Sequence, residues 1–276
     1  MHGLSQTTPV MLCFSDHDPT GSAGIQADIE TAASLGCHCA SAITALSVRN
    51  KQSHKSLAAN HTLLTEQARS VLETLPVAAI KIGFAGGLAN IKAIHSILID
   101  YPEIPVVLDI VAQISTGSQA HSRELYAAVT TLLLPLATLA TPSFFEAHEM
   151  AHQADTTDAC AHAMLDCGCQ FVLISDTLTD TNTFSNTLYG DQRLLKRYDW
   201  PRIGTACNGS SASLAASITA YLARGFGLLD AVEQGQKFTW QSLKQAHCVG
   251  GGHYIPNRLY GVNNTTTLRQ PLNTTH

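Results

Sequence analysis

The chain has 276 residues, of which 45% are hydrophobic and 13% charged, and its formal net charge is −5. This composition favours a large buried core over general disorder, and the acidic balance without any Lys/Arg run argues against a nucleic-acid partner. No signal peptide is predicted, because no basic segment followed by a long apolar one opens the chain, and no apolar run approaches the ~20 residues of a membrane span. We therefore expect a cytoplasmic protein without a membrane segment.

Apolar segments of strand length alternate with helical patterns along the chain. Strands are predicted at 10–15, 40–48, 78–84, 105–111, 137–142 and 170–175, and helices at 22–36, 63–75, 88–100, 122–133, 144–152, 157–167, 210–223 and 228–245. A hairpin is predicted around Gly190 and Asp191. This alternation predicts parallel βαβ units and hence a three-layer α/β fold with a doubly wound, mostly parallel sheet. A single domain is expected over 1–262, followed by a polar tail over 263–276.

The eight cysteines raise the question of disulfides or metal. A chain of this length without a predicted secretion signal favours reduced thiols. The pairs Cys37/Cys39 and Cys167/Cys169 are separated by one residue and so lack the CxxC spacing of structural zinc sites. We therefore favour buried thiols over a metal site.

In a doubly wound sheet, ligands bind at the carboxyl ends of the strands, so the segments that follow the predicted strands are informative. The segment "DPTGSAGIQAD" (18–28) closely resembles the D-P-S-G-G-A-G-I-Q-A-D hallmark of the hydroxymethylpyrimidine/phosphomethylpyrimidine kinases of thiamine synthesis, in the ribokinase superfamily. Four later segments also resemble motifs of this family: "KIGF" (81–84), "VVLDIVAQISTG" (106–117), "LATPSFFEAHEM" (139–150) and, more loosely, "GGGHYIPN" (250–257).

The resemblance implies a ribokinase-like fold in which Mg-ATP donates its γ-phosphate to a heterocyclic alcohol. The substrate-binding residues that it suggests are Asp16, Asp18, Gly24, Asp28, Arg49, Phe84 and Val111. Arg49 replaces the Glu or Gln that pairs with the aminopyrimidine in the family. Because a guanidinium only donates hydrogen bonds and is always charged, it suits an anionic group better than an amidine-like edge. A surface ion pair is the simpler alternative for Arg49.

The family's phosphate site is a G-T-G-C motif at the start of a helix, where backbone N–H groups bind the anion and the cysteine occupies the base position. Aligned without gaps, this motif falls on Gly209, Ser210, Ser211 and Ala212, so the base position holds an alanine. An alternative register places the motif on 204–207 and gives a cysteine, Cys207. We favour the gapless register, because it keeps Leu214 and Ile218 at the apolar i, i+4 spacing of the helix core.

The nucleotide side departs from the family pattern as well. Ser115 replaces a lysine, Ser143 replaces an asparagine, and the segment beginning at Ser175 replaces Lys-Gly-Gly with Ser-Asp-Thr. Glu146 is retained and could hold a water molecule bound to Mg²⁺. Together these substitutions weaken the case for ATP-driven chemistry.

Two functions are consistent with these residues. The first is a kinase, at full or reduced rate, of hydroxymethylpyrimidine, its phosphate, or a pyridoxal or pyridoxine substrate, because a general base is helpful rather than obligatory in phosphoryl transfer. The second is a non-catalytic protein that binds a phosphorylated ring such as pyridoxal phosphate on the 209–212 segment. By analogy with the family, a homodimer is also expected.

Overall fold

The structure is a computed structural model, and it describes residues 7–49, 54–111, 119–151, 154–178, 182–204, 206–250 and 253–261. The strands are β1 (Val10–His17), β2 (His38–Arg49), β3 (His54–Ala58), β4 (Val77–Ile82), β5 (Val106–Leu108), β6 (Leu139–Ala140), β7 (Phe171–Leu178), β8 (Thr183–Gly190), β9 (Arg193–Pro201), β10 (His247–Cys248) and β11 (Tyr254–Ile255). The α-helices are α1 (Gly24–Ser34), α2 (His61–Thr74), α3 (Leu88–Asp100), α4 (Gln119–Ala128), α5 (Phe144–Met150), α6 (Thr157–Asp166), α7 (Ser210–Ala223) and α8 (Leu228–Lys244).

A nine-stranded sheet in the order β3-β2-β1-β4-β5-β6-β7-β8-β9 forms the centre of the molecule. The six strands from β2 to β7 in this order run parallel, whereas β3, β8 and β9 are antiparallel to their neighbours. The chain leaves β1 towards β2 on one side and later continues from β4 on the other. The topological switch point therefore lies between β1 and β4, where a doubly wound sheet binds its ligands.

Both faces of the sheet are covered by helices, and β1 shows how the sequence provides for this. Leu12 and Phe14 pack into a core cluster with residues of α2, α3 and α6. Met11 and Cys13, which alternate with them, pack against residues of α1 and α7 on the opposite face. Successive side chains of a strand point to opposite faces, so a strand that is buried on both faces is apolar throughout. The fold is the predicted ribokinase-like α/β arrangement of three layers.

The structure differs from the predicted elements in four places. The helix expected at 122–133 ends at Ala128 and continues as a π-helical turn, Val129–Leu133, because Pro135 lacks an N–H and its ring excludes the carbonyl one turn earlier. The hairpin turns at Asp191 and Gln192, one residue later than predicted, and both residues have positive φ. The edge strand β3 and the β10–β11 pair were not predicted.

Candidate functional site

Two cavities lie along the carboxyl edge of the sheet. The switch-point cavity has a volume of about 270 Å³ and is lined by residues that include Asp16, Gly24, Lys81, Phe84, Asp109 and Val111. The hairpin cavity has a volume of about 430 Å³ and lies between the β8–β9 hairpin, α7 and α8. Four residues line both cavities: Glu146, Cys207, Ser210 and Ser211. The two cavities therefore meet at the N-terminus of α7.

The switch-point cavity is the smaller of the two, and one of its walls is a loop built around a buried aspartate. The loop between β1 and α1 forms one wall of the smaller cavity and is organised around Asp18, which is 3% exposed. Its Oδ1 accepts hydrogen bonds from the N–H and hydroxyl of Thr20, and its Oδ2 accepts them from the Ser22 hydroxyl and the Ala23 N–H. Burial alone would raise the pKa of Asp18, but these hydrogen bonds outweigh burial and lower it below the ordinary value. The carboxylate therefore shapes the wall of the cavity.

Gly24 begins α1 at the closest approach of this loop to β1. Its φ is +62°, and a Cβ at this position would lie 2.4 Å from the carbonyl oxygen of Asp16. Only glycine fits this arrangement without displacing the backbone. Asp16 itself lines the cavity and accepts a hydrogen bond of 2.6 Å from the Ser47 hydroxyl.

Three buried charges lie at the floor of the switch-point cavity. The Lys81 ammonium donates to Asp28 Oδ1 at 2.7 Å and lies 3.7 Å from Asp109 Oδ2. The second oxygen of Asp28 accepts from the Ser15 hydroxyl at 2.5 Å. Asp28 is fully buried behind Lys81 and Ser15 and is not among the residues that line the cavity, so it supports the pocket rather than forming its wall.

The pKa values of Lys81 and Asp109 are shifted by this arrangement. Burial lowers the pKa of Lys81, but the two carboxylates outweigh burial and raise the pKa above the ordinary lysine value. Burial raises the pKa of Asp109, while the positive charge of Lys81 and the hydrogen bond from Ser211 offset part of the rise. Lys81 is therefore a cation that two carboxylates share.

The N-terminus of α7 lies between the two cavities. Its N-cap is Gly209, with φ +88°, and a Cβ there would lie 1.7 Å from the carbonyl oxygen of Ser22. The first bond of the helix runs from the Ser213 N–H to the Gly209 carbonyl. The N–H groups of Ser210, Ser211 and Ala212 precede that bond and, by the geometry of a helix, have no carbonyl one turn earlier. They form the positive end of the helix dipole, which favours an anion.

Arg258 fastens α7 to the loop after β1. The side chain is 1% exposed, and its guanidinium donates to the Ser213 hydroxyl at 2.8 Å and to the Ser22 carbonyl at 2.5 Å. It also forms an ion pair of 3.0 Å with Glu30. Our sequence analysis missed this residue. The sequence does show that Arg258 is the single charged residue in a long uncharged stretch, because no other Lys, Arg, Asp or Glu occurs between Lys244 and Arg269.

The residues expected on the nucleotide side lie around the hairpin cavity. Ser143 is the N-cap of α5 and forms a capping box with Glu146, whose Oε2 accepts from both the N–H and the hydroxyl of Ser143. Ser143 and Ser175 both line the hairpin cavity, and the two residues form an isolated parallel bridge. The local fold thus brings Ser143, Glu146 and Ser175 together.

Aromatic side chains of the hairpin cavity were also missed by our sequence analysis. Trp200 on β9 and Trp240 on α8 stack with their ring centroids 6.1 Å apart and an interplanar angle of 29°. The Gln236 side-chain oxygen accepts from Trp200 Nε1 at 3.1 Å and from the Asn186 amide at 2.9 Å. The cavity therefore offers flat apolar surface with a few fixed polar groups, which suits a planar ring.

Some of the remaining predicted site residues line the cavities, and others lie outside the described part of the chain. Phe84 and Val111 both line the switch-point cavity. Cys207 lies just before α7, lines both cavities, and has a pKa that burial raises. The Arg49 side chain and Ser115 lie outside the described residues, as do the side chains of Asp176 and Thr177.

The described part of the chain gives no sign of a cysteine or histidine metal centre. Within it, no group of three or more His, Cys, Asp or Glu side chains is arranged to hold a metal ion, and all eight cysteines are free thiols. No helix among the described residues is both long and apolar enough to cross a membrane.

Fold and site together define a ribokinase-like α/β protein, with two cavities that meet at a helix N-terminus on the carboxyl edge of the sheet. The family model of phosphomethylpyrimidine kinase matches residues 18–257. The chain therefore belongs to the phosphomethylpyrimidine kinase family.

Individual relatives agree with this assignment. The hydroxymethylpyrimidine/phosphomethylpyrimidine kinase of Mycobacterium tuberculosis (strain H37Rv) is 30% identical over 257 residues, which cover 90% of this chain and 92% of that protein. The phosphomethylpyrimidine kinase of Clostridium difficile superposes with a TM-score of 0.68 at 26% identity, over 83% of this chain and 98% of that one. An ADP complex of Bacillus subtilis pyridoxal kinase superposes with a TM-score of 0.84 at 22% identity, over 91% of this chain and 98% of that one, and supports the fold.

Proposed function

We propose that this protein is an ATP-dependent kinase that phosphorylates a hydroxymethylpyrimidine or its monophosphate. The observation that carries the proposal is the meeting of the two cavities at the N-terminus of α7, with Ser210 and Ser211 lining both. Phosphoryl transfer requires donor and acceptor to reach one point from opposite sides, and groups there that stabilise charge on the transferring phosphoryl. Relatives that carry the name of this activity cover most of the chain.

The nucleotide is assigned to the hairpin cavity and the ring alcohol to the switch-point cavity. The stacked Trp200 and Trp240 suit a planar base, and the acceptor ring has Phe84 and Val111 as apolar walls beside Asp16. The acceptor hydroxyl attacks the γ-phosphorus, and the bond from that phosphorus to the β-phosphate oxygen breaks. The backbone N–H groups of 210–212 stabilise the negative charge of the transferring group.

A magnesium ion fits this site through Glu146. Mg²⁺ retains several waters and usually takes one or two carboxylates together with the phosphates of the substrate. Glu146 supplies a carboxylate where the two cavities meet, and its capping bonds with Ser143 fix its position. Bound there, the ion would neutralise phosphate charge, and Glu146 would hold its water.

The position of α7 supports the gapless register of the phosphate motif. The helix begins at Ser210, and Gly209 is in a left-handed conformation against Ser22 with no room for a side chain. A Cβ at Gly204, the first residue of the alternative register, would meet nothing within 4 Å. We therefore assign the phosphate cradle to 209–212, with Ala212 rather than Cys207 at its fourth position.

A second candidate function rests on Ala212. Its side chain cannot accept a proton, yet the cradle depends only on backbone N–H groups. A protein with this site could bind a phosphorylated ring, such as pyridoxal phosphate, without transferring the phosphate. In both candidates the ring occupies the same cavity.

Phosphoryl transfer to the ring tests the proposal directly. Purified protein is incubated with Mg-ATP and hydroxymethylpyrimidine or its monophosphate, and ³¹P NMR follows the phosphate esters and ADP. We expect ADP to form only when the ring alcohol is present, in equal amount with the new ester. Ring-phosphate binding in calorimetry, without ester formation from any pyrimidine or pyridoxal alcohol, would contradict the kinase and favour the second candidate.

Glu146→Gln with Glu149→Gln as the matched control tests the assignment of Glu146. Both substitutions remove one negative charge from α5, and glutamine keeps the capping box. Only Glu146 lines the cavities, so we expect Glu146→Gln to raise the Mg²⁺ concentration needed for half-maximal turnover by about tenfold, the effect of losing ~1.4 kcal/mol. Glu149→Gln is expected to leave it unchanged, and equal behaviour of the two variants would refute the assignment.

A further inference from the structure

The point where the two cavities meet lacks an evident proton acceptor. An acceptor hydroxyl that attacks phosphorus loses its proton during transfer, and a positioned base speeds this step. Ala212 offers no such group. The side chains that line both cavities are those of Glu146, Cys207, Ser210 and Ser211.

Two of these four side chains are poorly suited to accept a proton. Oε2 of Glu146 accepts from the N–H and hydroxyl of Ser143, and the proposed function already uses this carboxylate to hold a water of the magnesium ion. Burial raises the pKa of Cys207 above the ordinary thiol value, so the thiol is protonated at neutral pH. A serine hydroxyl becomes an effective acceptor only when a second group takes its own proton.

Ser211 has such a second group. Its hydroxyl donates a hydrogen bond of 2.5 Å to Asp109 Oδ1, across from α7 to the end of β5. Asp109 is 2% exposed and lines the switch-point cavity. Its other oxygen, Oδ2, has no hydrogen-bond partner among the described residues. Since its own hydrogen points at the carboxylate, the Ser211 oxygen has its lone pairs available to the cavities.

The charges around Asp109 make it the carboxylate that takes the proton. Lys81 on β4 lies 2.7 Å from Asp28 of α1 but 3.7 Å from Asp109, so Asp109 is the less neutralised of the two. Asp28 adds to the rise of the pKa of Asp109 that burial causes. Cys13 on β1 contributes no charge at neutral pH, because burial raises its pKa well above the ordinary value.

We propose that Ser211 and Asp109 form the proton-accepting pair of this enzyme. The inference rests on the proposed kinase function. The acceptor hydroxyl passes its proton to the Ser211 oxygen as its own oxygen bonds to the γ-phosphorus, and the Ser211 proton moves to Asp109. ADP leaves with the electron pair of the broken bond, and the protonated Asp109 returns its proton to water after the product departs.

Variants at Ser211 test the pair without threatening the fold, because this side chain is exposed on the first turn of α7. Ser211→Ala is expected to lower kcat by about 10²-fold or more, the usual cost of losing a general base, with little change in the KM for ATP. Ser211→Thr keeps a hydroxyl and is expected to retain most of the wild-type kcat. Wild-type kcat in Ser211→Ala would overturn the inference and leave the kinase function standing.

The pH profile separates proton transfer from a structural role. In the wild type, kcat is expected to fall as the pH drops and Asp109 becomes protonated, at a pH above the ordinary aspartate value. In Ser211→Ala this acidic limb is expected to disappear. A limb that persists unchanged in Ser211→Ala would overturn the pair. Absence of ring phosphorylation in the wild type itself would instead refute the proposed function, and the inference with it.

Discussion

At the scale of single residues, Gly209 is the glycine that leaves the least room for a side chain among those of the described part of the chain. The left-handed N-cap of α7 passes so close to Ser22 that a methyl group would overlap a carbonyl oxygen. This contact sets the position of the three N–H groups that follow. The location of the proposed phosphate cradle thus depends on the absence of a side chain at Gly209.

Gly209→Ala is expected to displace α7 from the first loop and to lower the free energy of unfolding by about 2 kcal/mol or more, through strain and backbone overlap. Anion binding should weaken in parallel, as calorimetry with Mg-ATP would measure. Gly204→Ala is the control, since a Cβ there meets nothing within 4 Å. If Gly204→Ala were the more damaging change, the register that begins at Gly204 would be favoured.

Asp18 leads to a prediction about pH. Its pKa is lowered in the folded protein, so its hydrogen bonds stabilise the fold above the unfolded aspartate pKa of ~3.9, and this stability is lost as the pH falls through the lower folded value. Asp18→Asn is expected to cost about 1–2 kcal/mol at pH 7. Urea titrations at pH 7 and pH 3 should show the difference between wild type and variant shrinking at the lower pH, and a constant difference would disagree with this account.

At the scale of elements, the apolar central strands and the alternation of strand and helix could be predicted because β1, β4, β5 and β6 are buried on both faces for most of their length. Those strands place Asp16 near the end of β1, and Phe84 and Val111 just after β4 and β5, at one edge of the sheet. The sequence alone could not reveal partners that are distant along the chain. Ser211 and Asp109 are 102 residues apart, and their hydrogen bond depends on how α7 crosses β5.

The segment 253–261 makes further contacts with residues that are distant along the chain. Arg258 connects it to α7 and to the loop before α1, through backbone and side-chain acceptors that no local pattern identifies. Edge strand β3 escaped prediction for a related reason, because it carries exposed and polar residues and forms only through its pairing with β2.

Arg258→Met is expected to lower the free energy of unfolding by about 2–4 kcal/mol, because it leaves buried acceptors such as the Ser22 carbonyl without their donor. Arg193→Met is the control, since the Arg193 side chain at the start of β9 is 71% exposed, and surface changes of this kind cost about 0.5 kcal/mol or less. Urea denaturation of both variants provides the measurement. Similar urea midpoints for the two variants would show that the Arg258 contacts do not contribute to the stability of the fold.

At the scale of the whole molecule, a single nine-stranded sheet lies at the centre, and the helices that line the two cavities are arranged around it. We propose that 1–262 is a single domain, and we expect one cooperative unfolding transition. Because both cavities exist only in the folded state, Mg-ATP and the ring alcohol should each stabilise it, by about 2.7 kcal/mol at a ligand concentration of 100 Kd. Calorimetry that resolved two transitions would contradict the single domain.

The homodimer implied by the resemblance stays a prediction at this scale. Sedimentation velocity over a range of protein concentrations tests it. A species of constant mass equal to one chain would contradict it.

The contacts of Arg258 also bear on how the protein is made. Its partners in the loop after β1 precede it by 236 residues, so a ribosome adding 5–20 residues per second needs roughly 10–50 s to supply the arginine after that loop has been synthesised. During most of this interval the first strand and the loop that follows it have been made but α7 has not, and throughout the interval the arginine that joins them is missing. Nascent chains therefore lack the complete proposed phosphate cradle until a late stage of synthesis, and a ligand of that cradle can stabilise only chains that have passed that stage.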